Sequence, residues 1–295
     1  MNNLKVTIVV MIYNNLNQVM KTLDSIKMQT YSNYEVLVSD DGSPKYSQKD
    51  FEELKKKYQS EFHSIQIIRN KENVGTVRHF NHLIKIAKGD IICPLSSGDA
   101  FYDKDALKYI VHAFLSDSSK LIFTSKRMTI NNNTKKFFPN KYQIKRMNYP
   151  KKLYQYLLRY GNFISGASTY YKKEIFEKYG FFNEKYRLLE DYPFYMKLCE
   201  EHEQIGYIDH ITIQYELGGI STNHKRNVLL DKDYILLFEK ELNNKRIDNS
   251  IMTKRALHYR IDKLSNKYNK LLTHFLYIDV VLMFIIKKLL VEKEY

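Results

Sequence analysis

The segment Leu4-Lys5-Val6-Thr7-Ile8-Val9-Val10-Met11-Ile12 is an almost unbroken apolar run. A strand with one face in water alternates apolar and polar residues. A run without alternation, bounded by Tyr13-Asn14-Asn15, reads as a strand covered on both faces. Such cover comes from helices, and the sequence supplies them in order. Leu16, Val19, Met20, Leu23 and Ile26 recur at helical spacing. Tyr34–Ser39, Ile65–Arg69, Asp90–Leu95 and Leu121–Ser125 read as further strands. Thr76–Lys88, stopped by Gly89, and Asp105–Leu115 read as helices. Strands alternating with helices predict an α/β fold with a mainly parallel sheet and right-handed crossovers.

Parallel sheets of this kind bind ligands in loops at the carboxyl ends of their strands. Three polar clusters fall at such ends: Tyr13-Asn14, Asp40-Asp41-Gly42-Ser43 and Ser97-Gly98-Asp99. No Gly-x-Gly-x-x-Gly follows the first strand, and no Walker lysine loop occurs, which argues against a dinucleotide enzyme or a P-loop NTPase. Cys93 and Cys199 cannot form a disulfide framework, and no Cys/His cluster has zinc spacing. With the chain running straight into a strand pattern, no secretory signal is read and a cytoplasmic location is expected.

Further along, residues 126–150 are polar, basic and aperiodic, and are expected to form a long loop or lid. Asn162–Tyr171 reads as a strand. Tyr192–Glu203 reads as a helix preceded by Leu188-Leu189-Glu190-Asp191, and Tyr207–Leu217 as one or two strands. Everything after Lys225 reads as helix.

In that order and spacing the pieces resemble the family 2 glycosyltransferases, inverting enzymes of GT-A fold, over roughly residues 4–222. Val6–Asn14 resembles the opening strand with its Tyr-Asn. Gln29-Thr30-Tyr31 followed by Glu35-Val36-Leu37-Val38-Ser39-Asp40-Asp41-Gly42-Ser43 resembles the most recognisable signature. Asn73-Val74-Gly75, Arg78, Asn81 and Ala87-Lys88-Gly89-Asp90 resemble the approach to the metal-binding strand, and Leu189-Glu190-Asp191 the acceptor-side pair. The resemblance implies a Rossmann-like, mainly parallel sheet flanked by helices, with a nucleotide-binding half over 1–125 and an acceptor half over 126–222. A helical extension over 223–295 follows.

It also implies roles. Tyr13, Asn14, Asp40, Asp41 and Ser97 would surround the nucleotide, with Asp41 on the base. Arg78 would meet the pyrophosphate with its planar fork of donors. Asp99 would bind Mn²⁺ or Mg²⁺, hard cations that prefer oxygen. Asp191 would be the catalytic base and Glu190 an acceptor contact. His224, beyond Gly218-Gly219-Ile220-Ser221, is a further metal or pyrophosphate candidate. The family pattern is broken at Ser97, where the first Asp of an Asp-x-Asp is expected, and at Ala100, where a further Asp often stands. The expected activity is a hexosyl transfer from a nucleotide sugar, of the uridine type, to a saccharide or polyprenol-linked saccharide in cell-surface polysaccharide synthesis. The alternative is a catalytically impaired sugar-nucleotide or glycan binder. Beside each role stands a bland one: Asp40-Asp41-Gly42-Ser43 as an ordinary turn, Arg78 as a solvated helix residue, Glu190-Asp191 as a helix cap.

Charge is uneven. Residues 1–120 carry 16 basic and 14 acidic side chains, whereas the whole chain carries 47 and 33, a net of +14. The excess lies in the later part, and a lysine-rich composition alone accounts for such a bias. The nearly neutral first part is compatible with a donor held by a metal and one or two placed cations. No nucleic-acid motif or aromatic stacking platform accompanies the charge, so no nucleic-acid partner is expected. Leu257, Ile261, Leu264, Tyr268 and Leu271 form one apolar helical face, and Phe275–Ile286 is apolar apart from Asp279. That run is too short for a span of ~20 residues. It is expected to pack on the domain or on a second subunit, or to lie on an anionic membrane surface with its flanking lysines at the headgroups, at the inner face of the cytoplasmic membrane.

Overall fold

The computed structural model describes residues 3–131, 134–217, 226–244 and 250–292. The chain begins with β1 (Val6–Ile12), α1 (Val19–Lys27), β2 (Tyr34–Asp40), α2 (Gln48–Tyr58), β3 (Ile65–Arg69), α3 (Thr76–Ile86) and β4 (Ile91–Ser96). There follow β5 (Ala100–Phe101), α4 (Ala106–Ser116), β6 (Ile122–Asn131), β7 (Thr134–Phe138), α5 (Lys141–Met147) and α6 (Pro150–Tyr160). Next come β8 (Thr169–Lys172), α7 (Glu174–Tyr179), α8 (Asp191–Glu200) and β9 (Gly206–Tyr215). Four helices end the chain: α9 (Val228–Leu242), α10 (Ile251–Ser265), α11 (Lys270–Leu276) and α12 (Ile278–Glu292).

The chain divides into two compact units. One comprises Met1–Pro139, Ile164–Phe182 and Ile205–His224; the other Asn140–Phe163, Asn183–Gln204 and Lys225–Tyr295. The first holds the sheet, in the order β3-β2-β1-β4-β8-β6-β9-β5, with β7 on β6. β3, β2, β1 and β4 run parallel. Val6, Ile8, Val9 and Val10 of β1 are wholly buried, as the unbroken apolar run requires of a strand covered on both faces. At ~2 kcal/mol for each buried aliphatic side chain, this one strand contributes several kcal/mol to the core.

Two expectations are corrected. Residues 126–150 are not a loop: β6 runs on to Asn131, turns back as β7, and α5 follows. The hairpin escapes a search for apolar periodicity because β7 is an exposed strand, with Lys135 and Lys136 in solvent, while Met128 alone carries much of the buried side. Similarly, Asn162–Tyr171 is extended only from Thr169; Gly166–Ser168 is a single turn of 3₁₀ helix.

The second unit is helical. α6, α8, α9 and α10 pack around Leu153, Leu157, Tyr192, Leu237, Phe238 and Leu257. The last carbonyls of α6 are left without helical partners, and Arg260 of α10 supplies them: its guanidinium donates to Leu158 O at 2.8 Å and Arg159 O at 2.7 Å. A cation is the favourable cap there because the helix dipole is negative at its carboxyl end.

Candidate active site

Parallel pairing sets Ile12 opposite Asp40, and Met11 opposite Ser96, so the loops leaving β1, β2 and β4 emerge together. Their backbones remain paired one step further: Asp41 N donates to Ile12 O, and Ser97 N to Met11 O, both at 2.9 Å. Asn14 has a left-handed φ of 59°, which asparagine tolerates better than most residues. This lets its N–H donate to Ser43 Oγ at 2.7 Å. Asn15 Nδ2 donates to Ser97 O, and Ser97 Oγ donates back to Asn15 O, each at 2.8 Å. Ser97 is thus buried and committed to the neighbouring loop. Tyr13, whose N–H donates to Asn15 Oδ1 at 3.1 Å, is exposed.

Asp40 and Asp41 are both buried, and each accepts three internal hydrogen bonds. Asp40 Oδ2 accepts from Ser43 N at 2.9 Å and Arg69 Nε at 3.2 Å, while Ser43 Oγ donates to Oδ1. Asp40 therefore folds its own loop and ties it to the end of β3. Asp41 reaches outward along the chain, accepting from Asn70 Nδ2 at 2.9 Å, Val74 N at 3.0 Å and Gly75 N at 3.0 Å. A carboxylate offers about four acceptor positions, so Asp41 retains one. Gly42 makes this approach feasible. Its φ is +66°, and a Cβ there would lie 2.5 Å from the Glu72 carbonyl carbon and 2.8 Å from Asn73 N.

Gly75 opens α3, and Arg78 stands exposed on its first turn. Of its neighbours, His79 is buried and its Nε2 lies 2.6 Å from Ser39 Oγ. Burial holds the His79 pKa down against the pull of Asp41 and Asp40, which keeps the ring neutral beneath the acidic loop. Asn81 exchanges two hydrogen bonds with the Phe182 backbone and so anchors α3.

Asp99 differs from the other acids. Thr22 of α1 holds the preceding peptide, its Oγ1 accepting from Gly98 N at 2.9 Å and donating to Asp99 O at 2.7 Å. Asp99 Oδ1 accepts from Glu216 N at 2.8 Å, just past β9. Oδ2 is buried and has no hydrogen-bond partner. Burial drives the pKa up to about 7, against the backbone hydrogen bonds from Glu216 and Ser96 and the charges of Arg127 and Lys21. A buried carboxylate oxygen without a partner is costly unless something binds it. A hard divalent cation fits, since Mg²⁺-type ions bind through one or two carboxylates and take their remaining ligands from phosphates and water. Among the described residues no group of three or more His, Cys, Asp or Glu converges as a complete protein cage, so Asp99 would hold such an ion together with substrate oxygens.

Arg127 was not singled out by sequence reasoning. It follows a register irregularity between β6 and β9 at Ser125–Arg127, and its guanidinium lies 4.9 Å from the Tyr215 ring and 5.6 Å from the Phe138 ring. It donates to Ser165 Oγ and supplies positive charge to Asp99. One arginine in a segment expected to be irregular gives no sequence signal.

Glu190 and Asp191 belong to the second unit, at the start of α8. Asp191 Oδ1 accepts from Tyr192 N at 2.6 Å, and Oδ2 from Asn162 Nδ2 at 3.2 Å. Glu190 is half-buried, and desolvation, then the charge of Asp191, raise its pKa to about 8. Burial and the neighbouring charge therefore favour the protonated form of Glu190. The preceding turn is held by Asp233 of α9, whose Oδ2 accepts from Arg187 N at 2.9 Å, Leu188 N at 2.6 Å and Leu189 N at 3.1 Å. Sequence reasoning missed this residue too. Residues 218–225, including His224 and Gly218-Gly219-Ile220-Ser221, lie outside the described residues.

A model of glycosyl transferase family 2 matches residues 7–180. A Haemophilus influenzae protein described as an uncharacterized glycosyltransferase is 26% identical over 223 residues, 74% of this chain and 71% of its own. An uncharacterized glycosyltransferase of Rickettsia conorii is 34% identical over 113 residues, 37% of this chain and 17% of that one. Among solved structures, S. aureus TarS 1–349 in complex with UDP-GlcNAc has a TM-score of 0.62 at 18% identity, covering 92% of this chain and 72% of that one. Mannosyltransferase PcManGT from Pyrobaculum calidifontis, in complex with GDP-Man and Mn²⁺, has a TM-score of 0.59 at 16% identity, covering 88% and 73%. These likenesses place the fold with the GT-A type.

Proposed function

The chain belongs to glycosyl transferase family 2, and is a glycosyltransferase; we propose that it is an inverting enzyme that uses a nucleotide sugar of the uridine type. The observation that carries this reading is Asp99 Oδ2, a buried oxygen without a protein partner beside strand-end loops whose other acids are engaged internally. Asp99 is assigned to Mn²⁺ or Mg²⁺, which would neutralise the departing diphosphate. The spare acceptor position of Asp41 suits a base N–H, with Tyr13 against the base and the Asn14–Ser43 and Asn15–Ser97 bonds fixing the loops around it. Arg78 suits the pyrophosphate. Asp191 takes the proton of the acceptor hydroxyl as that oxygen attacks the anomeric carbon from the face opposite the leaving group. Glu190, beside Asp191 at the start of α8, contacts the acceptor. Similarity to proteins solved with UDP-GlcNAc or GDP-Man supports a nucleotide-sugar donor, and the strand-end acid can accept the N3–H of a uracil. The acceptor is proposed to be a saccharide, free or polyprenol-linked, of a cell-surface polysaccharide.

One observation favours the rival reading, a binder that has lost its chemistry: Ser97 is committed to Asn15 and has no carboxylate to offer. A thermal-shift series of nucleotide sugars with Mn²⁺ separates the two when followed by release of nucleoside diphosphate. A donor at a hundredfold excess over its Kd stabilises the native state by ~2.7 kcal/mol. Turnover that disappears in Asp191→Asn and Asp99→Ala supports the transferase. Donor binding without turnover in the wild type, across acceptors and metals, rejects it.

A further inference from the structure

The last two helices present apolar surface that the fold leaves uncovered. On α12, Val280 is buried and Phe284 and Lys287 are half-buried, and they face the tyrosines of the helical unit; Phe284 packs on Tyr160 and Tyr259, and Lys287 lies over Tyr156 and Tyr160. Ile278, Leu282, Ile285, Ile286 and Leu289 follow at steps of four, three, one and three, and all are exposed. They form a second apolar stripe, which Leu282 and Ile286 join to a cavity edged by Tyr142 and Tyr160 and which Ile278, Ile285 and Leu289 carry away from it. A helix with apolar side chains on two sides has a second surface for a partner or for lipid. α11 continues the surface, with Leu271 84% and Phe275 77% exposed.

The charge around this surface is mainly basic, with Asp262 paired to Lys267 and Glu292 at the end of α12. Lys263, Lys267, Lys270 and Lys288 are exposed around it. Between residues 263 and 289 the sequence contains a single acid, Asp279. It is held in a two-pronged ion pair by Arg255, at 2.6 and 2.7 Å, which also pins α12 to α10. A second copy docking here would bring two lysine rims together. An anionic headgroup layer would instead neutralise them while its acyl boundary takes the isoleucine and leucine side chains. No helix among the described residues is long and apolar enough to cross a membrane, and fifteen-residue α12 spans only about 22 Å.

We propose that α11 and α12 form a docking surface for an anionic lipid bilayer, on which they lie in the interface without spanning it. This goes beyond the transferase reading and does not depend on it. The test is co-sedimentation of the full chain with vesicles of phosphatidylcholine alone or with 30% phosphatidylglycerol, at ~0.1 M and ~0.5 M NaCl. Binding is expected only to the anionic vesicles and falls at high salt. Phe275→Asp with Ile286→Asp should lose at least ~10-fold in affinity at unchanged Tm, since both side chains are exposed. Lys270→Gln with Lys288→Gln should weaken binding by roughly 25-fold, about fivefold for each lysine. The proposal is overturned if anionic vesicles sediment no more protein than neutral ones, or if neither double variant weakens binding. It is also overturned if light scattering shows a lipid-free dimer that Phe275→Asp with Ile286→Asp dissolves, which would make a second copy the occupant.

Discussion

Replacing Asp233 by Ala tests whether one buried carboxylate holds the turn that carries Glu190 and Asp191. In the folded chain three successive backbone N–H groups, of Arg187, Leu188 and Leu189, point at this one side chain. Arg187 is exposed, and its amide can turn to water; Leu188 is half-buried and Leu189 buried. Two amides therefore lose a charged partner without a substitute. At about 1.5–3 kcal/mol for each charge-assisted bond, and with some relief because Asp233 no longer repels Glu190, the expected cost is ~3–5 kcal/mol. That corresponds to a fall in Tm of roughly 8–15 °C. Asp233→Asn keeps an amide oxygen in the same place and should lose about half as much. The local readout is hydrogen exchange at residues 187–189, which should accelerate by roughly 100-fold in Asp233→Ala. Where turnover is measurable, kcat should fall 10–100-fold with the donor KM unchanged, because a misplacement of about 1 Å is enough for such a loss. A stability loss below about 1 kcal/mol together with unchanged exchange would show that the turn stands without Asp233.

Three further perturbations probe the rest of the site. Gly42→Ala places a methyl group 2.5 Å from the Glu72 backbone at a φ of +66°, so a loss of ~2–4 kcal/mol is expected; the loop Asp41 ties down should open, and calorimetric titration should show nucleotide affinity falling at least ~10-fold. Glu190 has a pKa raised from 4.5 to about 8, so the native state holds a proton the unfolded chain has released across that window. Stability from this group is therefore complete below pH 4.5 and lost as pH rises toward 8. Glu190→Gln should melt like the wild type at pH 4 and a few degrees higher at pH 9; a gap that does not grow with pH contradicts the assignment. Asp99→Asn should abolish any rise of Tm on adding Mn²⁺, while the metal-free protein is unchanged or more stable at pH 8, because a buried carboxylate is no longer ionised there. An undiminished Mn²⁺ shift in this variant would put the ion elsewhere.

What the sequence showed depended on whether a feature was local. The apolar run of β1 and the polar residues ending β1, β2 and β4 lie within a few positions of one another, and parallel pairing gathers them at one edge. Asp233 could not be read in this way. Its partners are 44 to 46 residues earlier, and nothing in Asp-Tyr-Ile-Leu announces a carboxylate that accepts three amides. Arg127 was hidden for a different reason. It depends on the hairpin of β6 and β7, and a strand exposed on one side need not be apolar enough to reveal itself.

The cluster of acids also shows why residue type alone cannot assign a role. Asp40 and Asp41 are adjacent, both are buried, and both resemble ligand-binding carboxylates in the sequence. Their hydrogen bonds differ: Asp40 holds its own turn and the Arg69 guanidinium of β3, whereas Asp41 ties that turn to the start of α3. Asp99 alone among these three has an oxygen that no protein group satisfies. The missing acid at position 97 bears on this difference. A hydroxyl at Ser97 can both bind the Asn15 backbone and stay neutral, so a second charge is not buried beside Asp99. A carboxylate there would raise the cost of ionising Asp99 further, because like charges in a buried site resist ionising together. With Ser97 the single ionised acid depends less on a cation for its stability. The substitution thus favours weaker metal affinity with the ligand retained, and a metal titration comparing the wild type with Ser97→Asp should show tighter binding in the variant.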